Sequence, residues 1–399
     1  MNKLLGLLAV LGLLAALAGC TFVTAPSSVE TITFLNHDPG ADAAWQEITK
    51  IYAKTQDVEV TVLSVEPEAY EKTLERMLEE GNSPAIFCCG STRELWRWKD
   101  RMLDLKGTDL ASQCVNYDYN WMHGDAILAV GCSREYTGIL VNKALLKAAG
   151  YSQAELSDFA GLKAVAEDIT ARSGELRFGA FTSGSEDAVL WMLNSVPEGE
   201  RWDTERMDCL KNILDLYARN GSASGTEVAF RDREEALAEF MEGKAVFCFG
   251  SSTLYAQLIR AGMRPEDLTM IPLCCGAEGE QARGLSTGTG HYWAVNSRVS
   301  DREKELALDF LSWVASSEEG TDMLRRLYGA VPFRGGGNTE NVFCQAAKDL
   351  EREGRFSGFW TFDRMDEGRL KELTFAMRVY FSAPAEANWA AIVRILEEQ

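Results

Sequence analysis

Two stretches of this chain share one pattern and indicate its fold. Residues 85–92 read AIFCCGST, and residues 245–252 read AVFCFGSS. Each is an apolar run suited to a buried strand, followed by a glycine turn and by hydroxyl residues that can cap a helix. In open α/β sheets, ligands bind where helices begin at the carboxyl ends of strands. The pair indicates either two lobes that face one cleft or a chance similarity between two α/β crossovers.

Strand and helix signals alternate along the rest of the chain. A β-rich run over residues 31–35 is followed by helical spacing over about 41–55 and by an alternating strand over 58–65. Strands separated by helices of this length are typical of βαβ units. The sequence therefore predicts an α/β fold, in which mostly parallel sheets are flanked by helices.

Two helix starts carry the capping-box pattern. Asp232 and Ser300 are each followed three residues later by a glutamate, Glu235 and Glu303. Such a pair satisfies two free backbone N–H groups at a helix start. We therefore expect helices to begin at both places.

The first twenty residues predict export. One positive charge at Lys3 precedes the apolar run 4–17, and residues 17–20 read LAGC, which looks like a bacterial lipobox. In that motif Cys20 is lipidated and becomes the new N-terminus, and residues 21–29 would form a flexible tether. The alternatives are an ordinary secretory signal or a short membrane helix, but the run is too short to span about 30 Å of hydrocarbon.

Composition argues against one class of partner and leaves the pairing of the cysteines open. The net charge of −20 argues against nucleic acid, because no basic stripe is present to neutralise phosphates. Beyond Cys20 there remain nine cysteines, an odd number, mostly in apolar contexts where they behave as small hydrophobes. A disulfide between distant pairs and a fully reduced set both agree with these contexts.

The motifs for catalysis and metal binding fail on inspection. Residues 284–288 read GLSTG, which matches a nucleophile elbow around Ser286, but no strand precedes it, and no acid lies between Ser286 and the only later histidine, His291. The histidines His37, His123 and His291 lack metal-ligand spacing, and there is no C-x-x-C pair. We therefore expect no metal, no cofactor and no catalysis.

Residues 135–146 (EYTGILVNKALL) and 240–246 (FMEGKAV) carry a family resemblance. In this order and spacing, together with the glycine-rich residues 284–290, they resemble the sugar-binding group of extracellular solute-binding proteins of ABC importers, which includes maltose-binding protein. The resemblance covers nearly the whole chain after the leader.

The resemblance implies two α/β lobes joined by three crossovers at a hinge, near residues 132–136, 270–275 and 329–333. The first lobe would hold residues 30–133 plus 276–329, and the second would hold 134–272 plus 333–399. Ligand binding would close the cleft, as in hinge-type receptors, and a permease would recognise the closed form. We expect a lipid-anchored monomer.

The resemblance also places a candidate ligand site. Carboxylates and hydroxyls would bind sugar hydroxyls, and aromatic faces would stack on pyranose rings. Near Ser252 the family commonly has a tryptophan, and this chain departs from that pattern. The candidate residues are Asn36, His37, Asp38, Ser91, Thr92, Arg93, Glu135, Tyr136, Glu186, Asp187, Ser251, Ser252, Tyr292 and Trp360.

Two other functions stay open. Asp38, Glu135, Glu186 and Asp187 could instead bind a cation such as a polyamine, with aromatic rings adding cation–π contacts. Salt separates the two ligand classes, since a cation loses affinity with ionic strength and a neutral sugar hardly does. The third candidate is a secreted serine hydrolase that uses Ser286.

Overall fold

The computed structural model describes residues 29–115, 119–182, 188–197, 199, 201–223, 225–355, 357–358 and 367–398. The predicted lipidation site Cys20 and residues 21–28 of the predicted tether lie outside these ranges. No helix in these ranges is long and apolar enough to cross a bilayer.

The described strands and helices alternate through most of the chain. The strands are β1 (Glu30–Asn36), β2 (Val58–Ser64), β3 (Ile86–Cys89), β4 (Asn120–His123), β5 (Ala126–Gly131), β6 (Glu135–Asn142), β7 (Gly179–Phe181), β8 (Ala245–Ser251), β9 (Leu268–Ile271), β10 (Ser286–Gly288), β11 (Tyr292–Val295) and β12 (Ser357–Gly358). The helices are α1 (Asp42–Gln56), α2 (Pro67–Glu79), α3 (Thr92–Trp98), α4 (Asp109–Gln113), α5 (Lys143–Ala148), α6 (Phe159–Ala171), α7 (Ser173–Leu176), α8 (Ala188–Ser195), α9 (Thr204–Arg219), α10 (Gly225–Phe230), α11 (Arg233–Met241), α12 (Tyr255–Arg260), α13 (Asp301–Ser316), α14 (Glu318–Tyr328), α15 (Val342–Arg352), α16 (Glu367–Ser382) and α17 (Glu386–Glu397).

The first sheet has the strand order β2-β1-β3-β11-β5-β4. Its edge strand β2 alternates buried and exposed residues, whereas β3 is buried along its whole length. Helix α1 packs Trp45 against the sheet, with its ring 4.9 Å from Phe34 and 6.0 Å from Trp293 between centroids. Strands from distant parts of the chain thus share one hydrophobic core, and this core defines the first lobe.

The second sheet is built around β6. Strand β8 pairs with one edge of β6, while β9 and β10 share the other edge. Gly138 allows the close approach of β9, because a Cβ at that position would stand 2.4 Å from the carbonyl oxygen of Ile271. Helices α6 to α10 and α16 to α17 cover this sheet and enclose the core of the second lobe.

Two details differ from the sequence-based expectation. Parallel pairs are limited to β1–β2, β1–β3, β7–β8 and β10–β12, so both described sheets are mixed rather than mostly parallel. The remaining pairs are antiparallel: β4 and β5 form a hairpin, and β6 and β11, which lie beside the crossovers, run opposite to the strands they join. The second crossover lies at residues 289–291, not near 270–275, because β10 bonds to β6 and keeps residues 286–288 with the second sheet.

Candidate functional site

The ends of several strands meet where the two lobes join. In the first sheet, Tyr292 at the start of β11 lies opposite Cys89 at the end of β3 and Gly131 at the end of β5. Across the crossover, Gly288 of β10 lies opposite Glu135, the first residue of β6. The loop after β1 reaches the same edge, where it places His37 beside the residues of the crossover. This edge is the candidate site.

A row of three titratable side chains crosses the junction. His37 Nε2 lies 2.9 Å from His291 Nδ1, and the two rings are stacked with centroids 4.9 Å apart. On the other side of its ring, His291 Nε2 lies 3.7 Å from Glu135 Oε1. The predicted residues His37 and Glu135 are thus brought together by a histidine that the site prediction did not include.

Glu135 accepts hydrogen bonds from both crossover segments, residues 132–136 and 289–291. Its Oε1 accepts hydrogen bonds from Ser133 Oγ at 3.1 Å and from the Gly290 amide at 3.2 Å. Ser133 also lies 2.9 Å from Thr289 Oγ1, so the two strands are joined side chain to side chain. Burial raises the pKa of Glu135, while the hydrogen bonds from Ser133 and Gly290 act to lower it.

Both histidines are uncharged at neutral pH. Burial lowers the pKa of His37 to about 3, with a further contribution from His291, and burial lowers the pKa of His291 to about 4. The half-buried Asp38 opposes both shifts. Tyr70 packs edge-on against His37, and Tyr328 packs against His291 at 4.6 Å between centroids. The site therefore presents neutral imidazoles beside a buried carboxylate.

The loop after β3 adds polar groups to this edge. Ser91 caps α3 by accepting a hydrogen bond from the Glu94 amide at 3.3 Å, and Glu94 accepts one from the Gly90 amide at 2.6 Å. Burial raises the pKa of Glu94. Arg93 is exposed, and Thr92 begins the helix.

Several predicted site residues make hydrogen bonds within the fold. Asn36 is buried and donates its side-chain amide to the Asp38 carbonyl at 2.7 Å and to Ser64 Oγ at 3.1 Å, which shapes the loop that carries His37. Ser251 caps the turn after β8, accepting from the Thr253 amide at 3.1 Å.

Tyr136 and Ser252 are both buried. The Tyr136 amide donates a hydrogen bond to Ser252 Oγ at 3.2 Å. Tyr292 is half-buried within the first sheet. Glu186, Asp187 and Trp360 lie outside the described residues.

Four residues of the junction were missed from the sequence: His291, Ser133, Thr289 and Glu94. Glu94 stands three residues after Ser91, so the pattern S-x-x-E could have identified it. No local signal identifies Ser133, Thr289 and His291, since these residues meet only when the two crossover segments lie side by side.

The chemistry of the site is that of hydrogen bonding. Within the described ranges, no group of three or more His, Cys, Asp or Glu side chains is arranged to hold a metal ion. Ser286 is buried in β10 and donates its hydroxyl to the Asn194 carbonyl at 3.1 Å, which does not fit an exposed nucleophile elbow.

Comparison with solved structures identifies the fold. RafE in complex with raffinose is 14% identical, with a TM-score of 0.71 over 92% of this chain and 99% of that chain; its apo form comes from Streptococcus pneumoniae. The GacH receptor of Streptomyces glaucescens is 16% identical, with a TM-score of 0.67 over 93% of this chain and 99% of its own. An ABC substrate-binding protein from Listeria monocytogenes, solved with cycloalternan, is 16% identical, with a TM-score of 0.68 over 92% and 97% of the two chains.

No curated protein sequence matches the chain. A sequence profile described as bacterial extracellular solute-binding protein matches residues 47–347. That match spans strands and helices of both lobes and includes both crossover strands of the junction. The chain belongs to the family of bacterial extracellular solute-binding proteins.

Proposed function

We propose that this protein is the substrate-binding lipoprotein of an ABC importer, and that it captures a sugar or oligosaccharide between its lobes. The observation that carries the proposal is the junction itself, where Glu135, His37 and His291 lie together between two lobes. Ligand contacts made at such a place act on both lobes at once, so that binding favours the closed form.

The chemistry of the junction supports a neutral, hydroxyl-rich ligand. Carboxylate oxygens accept hydrogen bonds from sugar hydroxyls, and a neutral imidazole offers one donor and one acceptor. RafE, solved with raffinose, and the Listeria protein, solved with cycloalternan, have the same two-lobed fold. Both of those ligands are oligosaccharides, which favours that class here.

The rest of the proposal concerns location and partners. Lipid on Cys20 would hold the protein at the outer face of the cell membrane, near the permease subunits that receive the ligand. A tethered receptor raises the local concentration at which capture and delivery occur. The protein would act as a monomer and would leave its ligand chemically unchanged.

The test is a thermal-shift screen on the Cys20→Ser variant, which should stay in the soluble fraction while the wild-type chain sediments with membranes. The probes are raffinose, maltotriose, chitotriose, glucose and spermidine. A ligand present at 100 times its Kd should stabilise the protein by about 2.7 kcal/mol. The expected result is that at least one sugar raises the Tm and that spermidine leaves the Tm unchanged.

Two variants locate the binding site. Glu135→Gln should weaken the binding of that sugar by about ten-fold or more, because the charge that faces His291 in the junction is lost. The surface variant Asp301→Asn, whose side chain is 94% exposed, should bind as the parent does. A Tm raised by spermidine alone, with affinity that falls steeply with salt, would establish a cation receptor in place of a sugar receptor.

A further inference from the structure

The row His37–His291–Glu135 constrains where its protons lie. Only one proton can lie between His37 Nε2 and His291 Nδ1, so one nitrogen donates and the other accepts. Among the described residues, the ring nitrogens of this pair have no other hydrogen-bond partner. Asp38 acts on both rings, whereas Glu135 contacts only the far side of His291, so the Glu135 contact sets which nitrogen of the pair donates.

Glu135 favours a proton on the facing nitrogen of His291. Burial raises the pKa of Glu135, while the hydrogen bonds that its Oε1 accepts from Ser133 and the Gly290 amide oppose that shift and favour the ionised carboxylate. A carboxylate oxygen 3.7 Å from His291 Nε2 is stabilised by an N–H there and repelled by a lone pair. Neutral His291 then has a bare Nδ1 and accepts from His37 Nε2–H. Neutral His37 in turn has a bare Nδ1.

His37 Nδ1 is the atom left without a partner. It is buried and makes no hydrogen bond to any described residue. His37 stands beside Gly90 at the end of β3, where a Cβ at residue 90 would lie 3.5 Å from its ring. A buried acceptor left unsatisfied costs about 1–3 kcal/mol, so a donor from outside the described residues is favoured here.

We propose that Glu135, acting through His291, fixes His37 as the Nε2–H tautomer, so that its bare Nδ1 accepts a hydrogen bond from the ligand. This inference rests on the proposed function and adds which chemical groups of a ligand can bind beside His37. A ligand hydroxyl or ammonium fits this position, whereas an ether oxygen or a carboxylate oxygen faces a lone pair. Glu135 and His291 are positioning residues in this scheme, and His37 is the contact residue.

The experiment reads the tautomers directly, without any ligand. Protein labelled with ¹⁵N-histidine is examined by NMR at pH 7.5, and signals are assigned by the loss of each in His37→Asn, His291→Asn and His123→Asn. The expected result is a protonated Nε2 and an unprotonated Nδ1 on both His37 and His291. A proton on Nδ1 of His37 overturns the inference and leaves the sugar screen untouched.

Two further arms test cause and selection. Glu135→Ala removes the carboxylate, so the preference of both histidines for the Nε2–H tautomer should be lost, while the control Glu351→Gln should leave it unchanged. Unchanged tautomers in a folded Glu135→Ala protein overturn the positioning role. For any probe of the screen that raises Tm, the His37 Nδ1 signal should move to a hydrogen-bonded position, and an unmoved signal overturns the contact.

Discussion

At the scale of single residues, the site depends on groups whose properties come from burial. His37 and His291 are 254 positions apart in the chain, yet their ring nitrogens lie 2.9 Å apart. The family resemblance identified His37 and Glu135 as candidates, because it places ligand contacts in the loop after the first strand and an acid at the hinge. The partner His291 and the loss of charge on both rings follow from packing that the sequence does not display.

These buried histidines predict that the protein loses stability in mild acid. Their pKa values of about 3 and about 4 in the folded protein lie below the ordinary value of 6.5. The unfolded chain therefore binds protons first as the pH falls below 6.5, which lowers the free energy of unfolding. The loss is about 1.4 kcal/mol per pH unit for each histidine, or about 2 kcal/mol each between pH 6.5 and 5.

Urea unfolding at pH 7.5 and pH 5 measures this effect. The difference in the free energy of unfolding between pH 7.5 and pH 5 should be smaller in a His37→Asn/His291→Asn double variant, because the groups that take up protons on unfolding are gone. His123→Asn, on the exposed end of β4, is the matched control and should keep the parent's pH dependence. An equal pH dependence in the parent and the double variant would refute the assignment.

At the scale of secondary structure, local chemistry predicted where helices begin. Ser300 accepts from the Glu303 amide at 3.3 Å, and Glu303 in return accepts from the Ser300 amide at 2.9 Å. Asp232 and Glu235 form the same box at the start of α11. Caps are predictable because both partners lie within four residues of each other. The direction of the strands could not be predicted in this way, since it depends on where the chain re-enters a sheet.

The capping box at α13 gives a prediction for stability. Ser300→Ala should lower the free energy of unfolding by about 1 kcal/mol, because the first turn loses its side-chain acceptor. Chemical denaturation compares it with Asp301→Ala, which alters the next residue but keeps both hydrogen bonds of the box. The two variants would have to be equally stable for the capping role to fail.

At the scale of the whole molecule, the half-buried cation Arg134 contacts both lobes. The Arg134 guanidinium lies 5.2 Å from the Tyr119 ring centroid in the first lobe and 5.5 Å from that of Tyr136 in the second. It also pairs with Glu351 on α15, where both side chains are 21% exposed. Its amide donates to the Ala330 carbonyl at 2.9 Å, which ties Arg134 to the segment that follows α14.

Removing this cation should loosen the junction. Arg134→Met should lower the free energy of unfolding by about 2–3 kcal/mol, because Glu351 is left largely buried without its cation. Glu351→Gln in the same chain should recover part of the loss, which a double-mutant cycle measures. Glu353→Gln, at an ion-paired side chain that is 63% exposed, is the control. Purely additive losses would show that Arg134 and Glu351 act independently.

The sequence by itself determined the properties that depend on near neighbours or on the order of motifs. These are the alternation of strands and helices, the helix caps and the family with its two lobes. Tertiary structure alone decided the mixed sheets, the second crossover at residues 289–291 and the meeting of His37, His291 and Glu135. The reason is physical: burial and hydrogen bonds between distant residues set the charge and the partners of a side chain, and both exist only once the lobes are packed.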